Sequence, residues 1–398
     1  MSAGPVHIDG SSGEGGGQIL RTSLALAMIT GRSLHMRNIR AGRAKPGLRR
    51  QHLACVEAAA RLCNAEVRGA AVSSQELVFA PGAVAGGELM IDIGTAGSTT
   101  LVVQTILVPA IAAGVELRAE IRGGTHNPLA PPFEFLERVW LPHLRAMGAK
   151  VGLTLDRHGF ASGGGPPRGD RTYGTRDRSS RDERAAHGDD RRGRHDRGRR
   201  SGDSSPSGAP GGELGQLTLT VERGGTLRPI EIVAAGPIMS RHAAAILARL
   251  PTHVAEREHG IVRERLGWSA AECEVREVRA GGPANVLLLE VERAEGRELI
   301  TCLGEKGLRA ETVAQRACDD LAAFLKAGVP VGEHLADQLL LPMAVAGGGR
   351  FRTTPLSLHA TTNIATIQAF LDVAIDVVPG NDDVTVAVGS CPATAMAR

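Results

Sequence analysis

One order of elements recurs along this chain, and it narrows the folds open to it more than any other feature. The spacing of apolar residues reads strand–helix–strand–helix–strand–strand. In the first copy Val6 to Asp9 is a short strand, Gln18 to Thr30 an amphipathic helix, Ser33 to Ile39 a strand and Gly47 to Cys63 an Ala-rich helix; Ala65 to Val67 and Glu76 to Ala80 close it. The second copy starts with a strand at Glu88 to Ile93, a helix at Ser98 to Ala113 and a strand at Val115 to Ile121. A helix opened by Pro131 and Pro132 then runs to near Gly148, and a strand follows at Lys150 to Leu155. Proline in the first helical turn and glycine past the last are the expected start and stop signals. The third copy is split. Its first strand falls at Thr226 to Glu231 but its first helix only at Val331 to Val345, followed by a strand (Gly349 to Thr354), a helix (Thr362 to Leu371) and two strands (Val373 to Val377, Val384 to Val388).

Residues 232–326 interrupt that copy with a pattern of their own. A helix at His253 to Leu266 precedes three alternating strands, Cys273 to Val278, Asn285 to Val291 and Glu298 to Leu303, and a helix at Ala310 to Lys326. The expectation is an α+β protein of three repeated βαβαββ modules, each a four-stranded sheet with two helices, carrying a small inserted α/β domain. The large domain is then discontinuous, 1–231 with 327–398, and 232–326 is the insert. A chain of 398 residues can bury a full core, and with aromatics at 3% that core must be aliphatic.

One segment fits no element. From Gly163 to Ser207 the chain is Arg, Gly, Asp, Ser and Pro, with almost no apolar residue beyond Tyr173, Ala185 and Ala186. Such a stretch cannot bury enough surface to offset the entropy of ordering, which predicts disorder within the large domain. Three readings stay open: a solvated insertion, an RGG-like RNA-binding arm, or a stretch of altered reading frame in a GC-rich gene. Arg168 to Arg200 holds twelve Arg against seven acidic residues, so the net charge of +3 hides a slightly acidic remainder. A protein that coats nucleic acid with a broad basic face would not look like that; one that grips a single end in an Arg-lined pocket would.

The N-terminus has no apolar signal core, and Leu101 to Val115 is broken by Gln104 and Pro109 and too short to span a bilayer. The six Cys form no C-x-x-C pair, which argues against a zinc site or a disulfide framework and predicts a reduced, cytoplasmic protein.

No P-loop is present, so nucleotide chemistry needs other apparatus. Three stretches offer it. Gly10 to Gln18 is a glycine-rich turn between a strand and a helix. Ile39 to His52 gathers five cationic side chains and a histidine. Ser357-Leu358-His359-Ala360-Thr361-Thr362-Asn363 sets a histidine before a Thr/Asn-rich turn. A neutral imidazole is nucleophilic near neutral pH, and a phosphorylated imidazole leaves well once protonated. Arginines and a divalent metal supply the positive charge that phosphoryl transfer requires.

Together with His334-Leu335-Ala336-Asp337-Gln338, these stretches resemble the RNA 3'-terminal phosphate cyclases, over roughly residues 6–160 and 213–388. The resemblance implies an ATP-dependent enzyme that converts an RNA 3'-terminal phosphate to a 2',3'-cyclic phosphate through a covalent histidine–AMP intermediate and an RNA-adenylate. It makes His359 the nucleophile. It puts Gln104, His334, Leu335, Ala336, Asp337 and Gln338 at the ATP, with His334 where the family usually has Tyr. Glu14, Arg21, Arg40, Arg43, Gln51 and His52 would line the site where RNA phosphate and metal meet, and Glu14 and Asp337 would hold the metal, Mg²⁺. The family pattern His-Gly-Phe-Tyr-Pro-Ala-Gly-Gly-Gly is broken here: His158-Gly159-Phe160 is followed by Ala161-Ser162-Gly163, and something like its second half returns at Gly208 to Glu213, leading into a strand at Gln216 to Val221. Two other readings accompany it. An enolpyruvyl-transferase-like enzyme would leave His359 and Leu335 to Gln338 idle. A cyclase-like protein of ribosome assembly would bind RNA without forming the adenylate.

Overall fold

The computed structural model describes residues 4–161 and 214–390, so the expected disorder of 163–207 lies outside the described residues. The described residues form a mixed α+β structure with four four-stranded sheets.

The first sheet is built from β1 (Val6–Asp9), β2 (Leu34–Arg37), β3 (Glu66–Arg68) and β4 (Leu77–Ala80), with α1 (Gly17–Thr30) and α2 (Arg50–Cys63) in its connections. Its spatial order is β1-β2-β4-β3, with β1 and β2 parallel and the remaining pairs antiparallel. The second sheet comprises β5 (Gly87–Asp92), β6 (Leu117–Gly123), β7 (Val151–Arg157) and β8 (Gly215–Val221), in the order β5-β6-β8-β7. Its helices are α3 (Thr99–Ala112) and a second that runs as α4 (Phe133–Phe135), a π-helical turn (Leu136–Trp140) and α5 (Leu141–Ala146). β7 and β8 pair directly although residues 162–213 separate them in sequence. The stretch His158-Gly159-Phe160 is built into this sheet's end: Thr125 N–H donates to the Gly159 carbonyl (2.7 Å), and the Phe160 ring stacks on the buried His126, which pairs with Glu134 at 2.8 Å.

A third sheet repeats the order with β9 (Glu231–Ile232), which lies beside β14 (Gly349–Thr353), then β16 (Val384–Val388) and β15 (Ile375–Pro379). Between β9 and β14 come β10 (Ile238–Ala248), α6 (His253–Leu266), β11 (Cys273–Glu277), β12 (Ala284–Arg293), β13 (Gly296–Leu303), α7 (Ala310–Ala327) and α8 (Glu333–Val345); α9 (Leu358–Phe370) follows β14. The first strand of this copy is two residues long, not the six expected from Thr226 to Glu231. Strands β10 to β13 pair only with one another, in the order β11-β10-β12-β13.

The sequence pattern did not reveal β10, the longest strand in that sheet. Its run Ala243-Ala244-Ala245-Ile246-Leu247-Ala248 has helical propensity, but every residue in it is buried. Ala244, Ile246, Val286 and Leu288 face the large core, whereas Ala243, Ala245, Leu247, Leu287 and Leu289 face α6 and α7. A strand covered on both sides loses the polar alternation that announces a strand, so tertiary packing overrides propensity here.

Strand β13 also touches the start of α8. The Glu298 carboxylate is packed against Gly332, the N-cap of α8, and burial pushes Glu298 up to about 7 from 4.5. Its folded-state pKa stands above the unfolded one, so protonation favours the native state. That contribution is fully present below the unfolded value and is lost as pH rises through about 7. In denaturant unfolding near pH 5 and near pH 8, Glu298→Gln, which cannot ionise, should gain about 2–3 kcal/mol on the wild type between the two conditions. A constant difference would mean that the carboxylate is solvated in the native state.

Among the described residues no helix is long and apolar enough to cross a membrane.

Candidate active site

Three helices from opposite ends of the chain converge on one spot. Ser357 caps α9, its hydroxyl accepting the Ala360 N–H at 3.3 Å, so the helix begins four residues earlier than the expected Thr362. His359 therefore sits inside the first helical turn, where the unsatisfied N–H groups and the positive end of the helix dipole favour an anion.

The glycine-rich turn Gly10 to Gly16 reaches this turn directly. Glu14 N–H donates to Thr362 Oγ1 at 3.0 Å, and a Cβ on Gly13 would stand 2.1 Å from the same oxygen. Gly13 also has φ +58, a conformation that side chains rarely adopt. The turn thus holds Glu14 beside His359, with Glu14 Oε1 at 3.6 Å from His359 Nε2 and ion-paired to Arg43. Arg43 also donates to the Glu14 carbonyl at 3.2 Å.

Beneath His359 lies a polar chain in which the expected Asp337 meets three residues that had no assigned role, Gln18, Thr22 and Asn363. His359 Nδ1 meets Gln18 Oε1, and Gln18 Nε2 donates to both Asp337 oxygens at 2.5 and 2.6 Å. Asn363 Nδ2 donates to Asp337 Oδ1 at 2.9 Å, and Thr22 Oγ1 donates to Asn363 Oδ1 at 2.9 Å. Gln18 and Asn363 are 6% and 5% exposed on otherwise apolar helix faces. A buried amide of that kind needs partners, and that was the signal available in the sequence. The partners themselves, more than 300 residues away, were not legible.

Electrostatics match the geometry. Partial burial first, then the charges of Arg21 and Arg43, bring His359 down to about 4, so its imidazole is neutral at physiological pH. Burial raises Asp337 to about 6 against the lowering effect of Gln18 and Asn363, leaving it ionised above that pH. Burial and the charge of His359 bring His334 down to about 4. His52 is buried and accepts the Arg49 N–H on Nδ1 at 3.0 Å; burial, then Arg40, Arg21 and Arg49, take it to about 3. A Cβ on Gly17 would stand 2.6 Å from its Nε2.

Beside this cluster an open cleft is lined by Gln18, Arg21, Gln104, Trp140, Asp337 and Gln338, among others. The Gln338 amide is buried, with neither its nitrogen nor its oxygen hydrogen-bonded among the described residues, while its backbone carbonyl accepts Trp140 Nε1 at 3.1 Å.

Glu14, Arg21, Arg43, His334, Asp337 and His359 thus come together, and Gln104 and Gln338 face the adjoining cavity. Leu335 and Ala336 do not present side chains to it; both are buried in the core, which follows from their place on the inner face of α8. Arg40 Nη1 donates to the Lys45 and Gly47 carbonyls at 2.8 and 3.0 Å and shapes the loop that carries Arg43. Gln51, on α2, packs against the turn at Gly97.

Among the described residues no three His, Cys, Asp or Glu side chains are grouped to hold a metal. The two proposed ligands differ. Both Asp337 oxygens accept amide N–H groups, whereas Glu14 Oε2 is buried without a hydrogen-bond partner among the described residues. A single carboxylate oxygen beside a phosphate site is the kind of protein ligand Mg²⁺ takes, with substrate phosphates and waters completing its shell.

The fold sets a histidine on a helix N-terminus above a cleft that Arg21 lines. Comparison with known proteins identifies it further. Residues 12–377 match the family described as RNA 3'-terminal phosphate cyclase, and the chain belongs to that family. It is 43% identical over 378 residues to the RNA 3'-terminal phosphate cyclase of Ectopseudomonas mendocina, covering 95% of this chain and 96% of that one. Identity to the protein of the same name from Pseudomonas fluorescens is 42% over 385 residues, covering 96% and 97%. For that from Koribacter versatilis it is 37% over 383 residues, covering 95% and 94%.

Proposed function

We propose that this protein is an ATP-dependent ligase-type enzyme that closes an RNA 3'-terminal phosphate to a 2',3'-cyclic phosphate. One observation carries the reading: a neutral imidazole, half exposed on a helix N-terminus, stands between an Arg-lined cavity and the Glu14–Arg43 pair.

In the first step His359 Nε2 attacks the α-phosphorus of ATP. The Nε2–P bond forms, the bond to the bridging oxygen breaks, and pyrophosphate leaves. An oxygen of the RNA 3'-phosphate then attacks the same phosphorus, the P–N bond breaks, and an RNA-adenylate results. Last, the neighbouring 2'-OH attacks the RNA phosphorus and AMP departs. That step needs the 2'-OH, so DNA is excluded as a substrate for closure.

Arg21 and Arg43 neutralise incoming and leaving phosphate oxygens, and Gln104, His334 and Gln338 hold the nucleotide. Mg²⁺ bound by Glu14 would add positive charge at those oxygens. Asp337 is assigned to Gln18 rather than to the metal. The three sheets of shared order are three copies of one module, forming a large domain of 1–231 and 327–398, and 232–326 is the inserted domain.

The test uses α-labelled ATP, then a 3'-phosphorylated oligonucleotide. RNA should be cyclised and the matching DNA at most adenylated. Arg43→Ala should lower RNA closure on the order of 10- to 100-fold, the worth of a charged hydrogen bond, while keeping part of the self-adenylation. A folded wild type that takes up no label would favour the RNA-binding protein instead.

A further inference from the structure

The chain Thr22–Asn363–Asp337–Gln18–His359 permits only one direction of hydrogen bonding. An ionised carboxylate can only accept, so Asp337 obliges Gln18 to turn its NH₂ group inward. Asp337 likewise takes the NH₂ of Asn363, whose own oxygen must then face the Thr22 hydroxyl. With its NH₂ spent on Asp337, Gln18 has only its carbonyl oxygen left for His359 Nδ1. Two acceptors cannot bond to one another, so Nδ1 must carry the proton.

We propose that Gln18 is a positioning residue that fixes His359 as the Nδ1–H tautomer, leaving the Nε2 lone pair toward the cavity. The inference rests on the reading of His359 as the nucleophile and deepens it. An imidazole free in water prefers its proton on Nε2, which would block attack through that atom. A catalytic histidine's second nitrogen is commonly held by a hydrogen bond for this reason. Here a carboxamide intervenes between carboxylate and ring. The acceptor facing Nδ1 is therefore uncharged, so the neutral ring is not pulled toward imidazolium as it would be by a carboxylate in direct contact.

Groups facing the ring from other elements do not supply the same constraint. Glu14 Oε1 stands 3.6 Å from Nε2, beyond hydrogen-bond reach, and is engaged by Arg43. Arg21, Arg43 and His334 act on the ring by charge or proximity.

The experiment records long-range ¹H–¹⁵N spectra of full-length protein labelled at its histidines, with His359→Ala assigning the His359 signals. The wild type should show a protonated Nδ1 and a bare Nε2. Gln18→Met, similar in length and unable to bond, should move the proton to Nε2 and slow labelling by α-labelled ATP about 10- to 100-fold. Asp337→Asn, nearly isosteric, should do the same by another route: its NH₂ lets the Gln18 amide turn over and donate to Nδ1. That variant guards against a folding defect in the first.

A proton that stays on Nδ1 in both variants, or labelling at the wild-type rate in both, overturns the proposal. A wild type that shows the Nδ1–H tautomer, lost in both variants, yet takes up no label supports the relay and removes the adenylation reading, so the two fail separately.

Discussion

Incubated with α-labelled ATP and Mg²⁺, His359→Ala should acquire no covalent AMP, a loss on the order of 10⁴-fold or more in adduct formation relative to wild type. The wild-type adduct should be labile in acid and stable in alkali, because protonation of a phosphoramidate nitrogen makes it a leaving group. No neighbour can substitute. His52 is buried, its Nδ1 accepts a backbone N–H, and its Nε2 is packed against Gly17. His334 lies in the first turn of a different helix, α8, where burial brings it down to about 4. Since His359 is held near 4, imidazole protonation should not limit labelling between about pH 8 and pH 6. Label remaining in His359→Ala would keep the enzyme and move the nucleophile elsewhere.

Gly13→Val should be nearly as damaging without touching a reacting atom. Its φ of +58 is costly for a β-branched residue, and its Cβ would meet Thr362 Oγ1 at 2.1 Å. The turn must back away from α9, breaking the Glu14 N–H bond to Thr362 and displacing Glu14 and Arg43 from His359. We expect a stability loss of about 2–4 kcal/mol in denaturant unfolding. Adduct formation should fall about 100-fold, the usual consequence of a displacement near 1 Å. Thr362→Ala in the same chain should relieve the steric part only. Gly42→Ala, on a neighbouring loop with open space around it and no positive φ, should change stability by less than about 0.5 kcal/mol. Equal effects at both glycines would mean that the Gly13 contact does not hold the turn.

The strands and helices that carry the site were legible because their periodicity is local. Half-covered sheets alternate, helices repeat every three or four residues, and Pro131, Gly31 and Gly148 mark ends. His359, Glu14 and Arg43 were named through the resemblance to the cyclases that their stretches carry. β10 was missed because burial on both faces removes alternation, and Ala-rich sequence then imitates a helix.

The sequence alone determined the order of elements and placed the imidazole, the carboxylate and the arginines on three marked stretches. Only the tertiary structure decided which of them meet. Gln18, Asn363 and Thr22 had no assigned part until α1, α8 and α9 came together. Asp337, expected at the metal, has its oxygens accepting the Gln18 and Asn363 amides. Hydrogen-bond direction is set by which groups meet, and residues more than 300 positions apart meet only once the core has closed.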